Sequence, residues 1–143
     1  MQKFFLGILI FVAALVLQFF AASFGFSFDL AFATVIALAF MLDFAELLPI
    51  VLLDALILNW QPALSPTIVV YLVFPILAFG LCRIFPWESW IAIPSAVVVG
   101  TLVAVFSAGA GIAAIGIGTV LGDVITSMIW ALVPYGMMKS RKR

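Results

Sequence analysis

Apolar runs about as long as a bilayer is thick alternate along this chain with short polar breaks. The run 4–22 is apolar apart from Gln18, close to the roughly 20 residues a helix needs to cross a membrane. Residues 23–27 read as a short turn. Positions 30–42 are apolar apart from Thr34. Asp43, Phe44, Ala45 and Glu46 then interrupt, and 47–58 continues with Asp54 inside. The segment 59–66, with Pro62, Pro66, Asn59, Gln61 and Ser65, is the clearest loop. A further apolar run, 67–81, is expected to kink at Pro75. Residues 83–90 form a polar and aromatic connector, and 91–106 a further run with Pro94 near its start. A small-residue turn at 107–111 leads into a last run expected to end near Pro134 and Gly136, before a basic tail. The pattern predicts helices at about 4–22, 29–43, 46–58, 67–84, 90–106 and 112–135.

The stretch 30–58 has two possible readings. A single helix there would be about 43 Å long at 1.5 Å per residue. That overshoots a hydrocarbon core of about 30 Å and buries Asp43 and Glu46 near its centre. Two helices with the acidic turn at the membrane surface are the preferred reading, and Pro49 then suits the first turn of the second.

Composition agrees with the pattern. Hydrophobic residues make up 68% of the chain and charged residues 8%, against about 25% charged in soluble domains. A chain of 143 residues forms one domain, so residues 1–143 read as a single integral membrane domain. The expected fold is all-α, a polytopic membrane helix bundle. Lys3 followed by an apolar run resembles a secretion signal, but the run exceeds the usual 7–15 residues or so. An uncleaved first helix is expected. Lys3, Arg83 and the tail of Lys139, Arg141, Lys142 and Arg143 all fall on one side if there are six transmembrane helices. Basic residues mark the cytoplasmic side, so both termini are placed inside. Trp60, Trp87 and Trp90 suit the interfacial aromatic belts.

The chemistry available is narrow. Formal net charge is zero and there is no histidine, so neither a nucleic-acid partner nor a histidine-based catalytic site is expected. The single Cys82 excludes an intrachain disulfide. No catalytic set, metal site or cofactor is predicted, and the glycines around 109–118 match no phosphate loop. What remains is a set of intramembrane polar residues. Asp123 is the sole charged residue of 112–133, and a charge at the bilayer centre costs about 2.5–3.5 kcal/mol or more. It should face the bundle interior, with Thr119, Thr126 or Ser127 as partners by helix spacing. It reads either as a hydrogen-bonded structural or contact residue or as a proton or cation site. Beside it, Ala110, Ala114, Gly118, Gly122 and Thr126 form a small-residue stripe, suited to close packing within the chain or to docking of a partner helix. Asp29 reads as a helix N-cap, with Ser27 competing. Asp54 sits either near the outer surface or within the bundle. Asp43 and Glu46 read as a solvated turn. Gln18 is a candidate interhelical hydrogen-bonder.

Three short places resemble MreD, the small membrane subunit of the bacterial rod-shape machinery. They are Leu17-Gln18 late in the first run, Phe28-Asp29-Leu30 at the opening of the second helix, and Leu53-Asp54-Ala55 near the close of the third. The basic end also agrees. The resemblance implies a non-enzymatic scaffold of cell-wall (peptidoglycan) elongation in the bacterial cytoplasmic (inner) membrane. Its partners would be an MreC-like protein and the membrane subunits of a cell-wall synthase. The MreD fold resembles the substrate-binding subunit of energy-coupling-factor vitamin transporters, so such a subunit is the alternative expectation. A small proton-coupled transporter using Asp123 and Asp54 is a third.

Overall fold

The computed structural model describes residues 2–26, 28–58, 65–84, 88–109 and 116–140. They form six α-helices and, among the described residues, no strand. These are α1 (Gln2–Ser23), α2 (Leu30–Ala39), α3 (Phe44–Leu58), α4 (Pro66–Ile84), α5 (Ser89–Ser107) and α6 (Ile117–Ser140). Four of them, α1, α4, α5 and α6, are long and apolar enough to cross a membrane. The outer faces carry exposed large apolar side chains on every long helix, among them Phe5, Leu9 and Val16 on α1, Val69 and Leu77 on α4, and Ile125 and Ile129 on α6. So much exposed apolar surface is incompatible with water on all sides. It marks the chain as a membrane protein.

The stretch 30–58 is two helices. Residues 40–43 turn the chain between them, with Met41 N–H donating to the Leu38 carbonyl at 2.9 Å. The Asp43 carbonyl accepts from Glu46 and Leu47 N–H at 3.0 and 2.9 Å, so α3 starts at Phe44. Pro49 therefore lies in the second turn of α3 rather than the first. Its missing N–H leaves the carbonyl of Ala45 without a helical donor, and Ala45 is exposed.

The ten residues of α2 are all buried. It packs against each of the other five helices and stands as the post around which they are arranged. Its alternating alanines, Ala31, Ala33, Ala37 and Ala39, let those neighbours come close. At 1.5 Å per residue it is about 15 Å long, half of a hydrocarbon core. The α4 and α5 helices meet it at Gly100. A Cβ at that position would lie 2.6 Å from Ile36 Cδ1 and 2.7 Å from Phe74 Cε1, so only glycine fits without displacing a neighbour.

A second cross-link ties α2 to α6, where Trp130 Nε1–H donates to Thr34 Oγ1 at 2.8 Å. The Thr34 hydroxyl in turn donates to the Leu30 carbonyl at 2.8 Å. Trp130→Phe removes the donor while Thr34 keeps its backbone partner. The expected loss is about 0.5–1.5 kcal/mol of unfolding free energy, read by denaturation in detergent. A loss above that range would mean that the indole carries packing that phenylalanine does not replace.

The last helix differs from expectation at both ends. It begins at Ile117 rather than 112 and runs through Pro134 and Gly136 to Ser140. Residues 110–115 lie outside the described residues. Pro134 is accommodated inside the helix and is buried. The later start moves Asp123 away from the middle of the helix, to about 9 Å from its beginning.

Candidate functional site

Two groups of polar side chains stand at opposite ends of the bundle. At one end stand Lys3, Asp43, Arg83, Glu88 and Lys139. Arg83 approaches Asp43 at 3.5 Å, both well exposed, and lies over the Phe79 ring at 4.5 Å. Exposed pairs of this kind contribute little. Glu88 accepts from Trp90 Nε1–H. Lys139 Nζ donates to the Tyr135 hydroxyl at 3.0 Å, a bond that pushes the ammonium up from its ordinary value. At the other end stand Gln18, Asp29, Asp54, Tyr71, Asp123 and Ser127, with no lysine or arginine among the described residues there.

Asp29 organises that second end. A turn after α1 delivers it: Phe26 N–H donates to the Ala21 carbonyl at 3.1 Å and Gly25 N–H to Ala22 at 3.0 Å. This is a Schellman closure, and it requires the left-handed φ of +83° at Gly25. The chain then enters α2 with Asp29 as N-cap, its Oδ1 accepting from Phe32 N–H at 3.3 Å. Ser27, the competing cap, lies outside the described residues. The other oxygen, Oδ2, accepts from the Tyr71 hydroxyl of α4. Asp29's own N–H donates to Asp123 Oδ1 of α6 at 3.0 Å. Two residues further on, Ala31 N–H donates to Gln18 Oε1 of α1 at 2.9 Å. Two N–H groups that a helix start leaves unpaired, those of Ala31 and Phe32, are thus taken by Gln18 of α1 and the Asp29 cap, and the cap's own N–H by Asp123 of α6.

Asp123 also accepts from Ser127 Oγ at 3.3 Å, the i+4 partner that helix spacing named. Thr126 instead donates to the Gly122 carbonyl of its own helix at 2.8 Å. Thr119 lies beside Asp123 on the wall of a cleft. Asp54, on α3, is completely buried and within electrostatic reach of Asp29, and neither of its oxygens has a hydrogen-bond partner. It lies inside the bundle rather than at the outer surface. Buried carboxyls without partners are uncommon and costly.

The structure therefore brings together Gln18, Asp29, Asp54 and Asp123, named separately from the sequence. It adds Tyr71, which sequence reasoning passed over, although a tyrosine inside the otherwise apolar α4 was a visible signal. It does not bring in Gly118 and Gly122. Among the described residues, nothing lies within 4 Å of a Cβ placed at either one, so this part of the stripe packs against no other described helix. Its members Ala110 and Ala114 lie outside the described residues.

A cleft of about 380 Å³ opens at this end, lined by Gln18, Phe26, Phe28, Asp29, Thr119 and Asp123 among others. A second cavity of about 350 Å³, between α4 and α5, is walled almost entirely by apolar groups such as Phe40, Phe74 and Val99. No cluster of three or more metal-ligating side chains occurs among the described residues. Comparison with known proteins finds no matching family model, no matching curated protein and no matching solved structure.

Proposed function

We propose that this chain is an MreD-like, non-enzymatic scaffold with six membrane-spanning helices and both termini in the cytoplasm of a bacterial cell. Its role is to hold an MreC-like protein and the membrane subunits of a cell-wall synthase together during elongation. One observation carries the reading. The three short places where the sequence resembles MreD lie far apart along the chain, yet Gln18, Asp29 and Asp54 meet at one end of the bundle. Residues that join across α1, α2 and α3 in this way act as one unit. The orientation has its own support. Every lysine and arginine among the described residues sits at the opposite end, the end that basic residues hold in the cytoplasm.

The test is a crosslinking pull-down from native membranes with a tag on the C-terminus. Recovery of an MreC-like protein or a wall synthase supports the scaffold. Recovery of ATPase-linked transporter subunits replaces it with solute uptake.

The exposed small-residue face of α6 supplies a sharper arm. A Cβ at Gly118 or Gly122 meets no described neighbour within 4 Å, so the purified Gly118→Leu/Gly122→Leu variant should unfold at the temperature of the wild type or slightly above it. Losing two helical glycines contributes about 0.5–1 kcal/mol each. A leucine pair on that face should instead prevent close approach of a partner helix. Unchanged partner recovery with the double variant would place the partner elsewhere.

A further inference from the structure

The cleft beside Asp123 has an unanswered hydrogen-bonding pattern. Asp29 uses both carboxylate oxygens within the fold, on Phe32 N–H and the Tyr71 hydroxyl. Asp123 uses one. Its Oδ1 accepts from Asp29 N–H and Ser127, while Oδ2 has no partner among the described residues. Gln18 is fixed the same way round, since Ala31 N–H needs an acceptor and so takes Oε1. That leaves the Gln18 NH₂ group, a double donor, also without a partner among the described residues. Both residues line the cleft. So do Phe26 and Phe28, whose rings stack at 5.6 Å and 8°. The cleft thus offers a free carboxylate oxygen, a free amide donor and an aromatic wall. It holds two carboxylates with no basic side chain beside them, and the buried Asp54 adds a third carboxyl within reach of Asp29.

We infer that this cleft binds a primary ammonium group that carries an oxygen acceptor a few bonds away. The ammonium donates to Asp123 Oδ2 and lies against the Phe26–Phe28 wall, where a cation over a ring face is attracted to it. The acceptor oxygen takes the Gln18 amide. At about 380 Å³ the cleft is at the small end of ligand sites, which suits a headgroup-sized molecule of the ethanolamine class. Two sources share that chemistry: a free amino alcohol and the headgroup of an aminophospholipid. The inference is independent of which proteins the chain gathers.

The experiment uses the purified full-length chain in detergent and measures binding of ethanolamine and, separately, of lysophosphatidylethanolamine. Lysophosphatidylcholine serves as the control, since its trimethylammonium has no N–H to donate. Binding of either amine, with the choline lipid at least about tenfold weaker, is the expected result. Saturation by ethanolamine alone identifies a soluble ligand. Binding confined to the lyso-lipid identifies a membrane lipid. Two near-isosteric variants locate the site. Asp123→Asn keeps an acceptor for Asp29 N–H but removes the charge, and should weaken amine binding about tenfold or more. Gln18→Glu keeps the acceptor for Ala31 N–H but removes the donor. It should weaken a ligand that has its oxygen while sparing simple alkylamines. Melting temperatures run alongside, and either variant alone suffices if the other misfolds. Equal binding of the choline lipid, no amine binding at all, or full affinity in both folded variants would overturn the assignment. None of these results bears on the pull-down.

Discussion

Asp29→Ala is expected to lower the unfolding free energy by about 2–4 kcal/mol. Two losses combine. Removing an N-cap carboxylate costs about 0.5–2 kcal/mol, because Phe32 N–H loses its acceptor. Removing the acceptor of the Tyr71 hydroxyl leaves a polar group in an apolar helix interface, at about 1–3 kcal/mol. Asp29→Asn separates them, since asparagine caps helices about as well as aspartate. It should recover most of the first loss. Tyr71→Phe removes the hydroxyl together with its need for a partner and should cost less than Asp29→Ala. In a double-mutant cycle the pair should therefore be clearly non-additive. Equilibrium denaturation of the wild type, the three single variants and the Asp29→Ala/Tyr71→Phe double variant in one detergent is the measurement. An Asp29→Ala variant within about 0.5 kcal/mol of wild type would mean that α2 does not depend on this cap.

Gly100→Val is the second large effect, expected at about 1–3 kcal/mol destabilising. The new Cβ alone would come within 2.6 and 2.7 Å of Ile36 Cδ1 and Phe74 Cε1, well inside contact distance. The Ile36 methyl ends a flexible chain and can give way. The Phe74 ring is packed against Phe32 at 6.2 Å between centroids and has less room. Gly100→Ala should cost less, partly because alanine favours the helix over glycine by about 1 kcal/mol. Combining Gly100→Val with Phe74→Leu should return part of the loss. If the double variant is no more stable than Gly100→Val, the crowding lies on the Ile36 side. Thermal denaturation of the series reads this directly.

The helices were legible in the sequence because long apolar runs admit few alternatives in a membrane. The break between α2 and α3 was legible for the same reason, since Asp43 and Glu46 interrupt a run too long to span once. The Asp29 cap and the Ser127–Asp123 pair were legible because each depends on residues three or four apart. The meeting of Asp29 with Asp123 and Tyr71 was not. It joins residues 94 and 42 positions apart, and no local period encodes which helix stands beside which. The ends of α6 were misread for a different reason. Pro134 and Gly136 usually close a helix, but here the helix continues through both to Ser140. The small-residue stripe was expected to pack closely against a helix, yet no described residue lies within 4 Å of a Cβ at Gly118 or Gly122.

The central placement of α2 has a consequence for how the protein is made. A ten-residue helix is too short to sit across lipid by itself. Two of its fastenings come from the far end of the chain, Asp123 to its first turn and Trp130 to Thr34. When the ribosome has released only α1 to α5, that post stands half-enclosed, and its Asp29 N–H lacks the carboxylate that receives it. α6, which follows the other five helices in the chain, is therefore the one that closes the bundle. A chain stopped before α6 should be a substrate for membrane proteases rather than a smaller working version of the same protein.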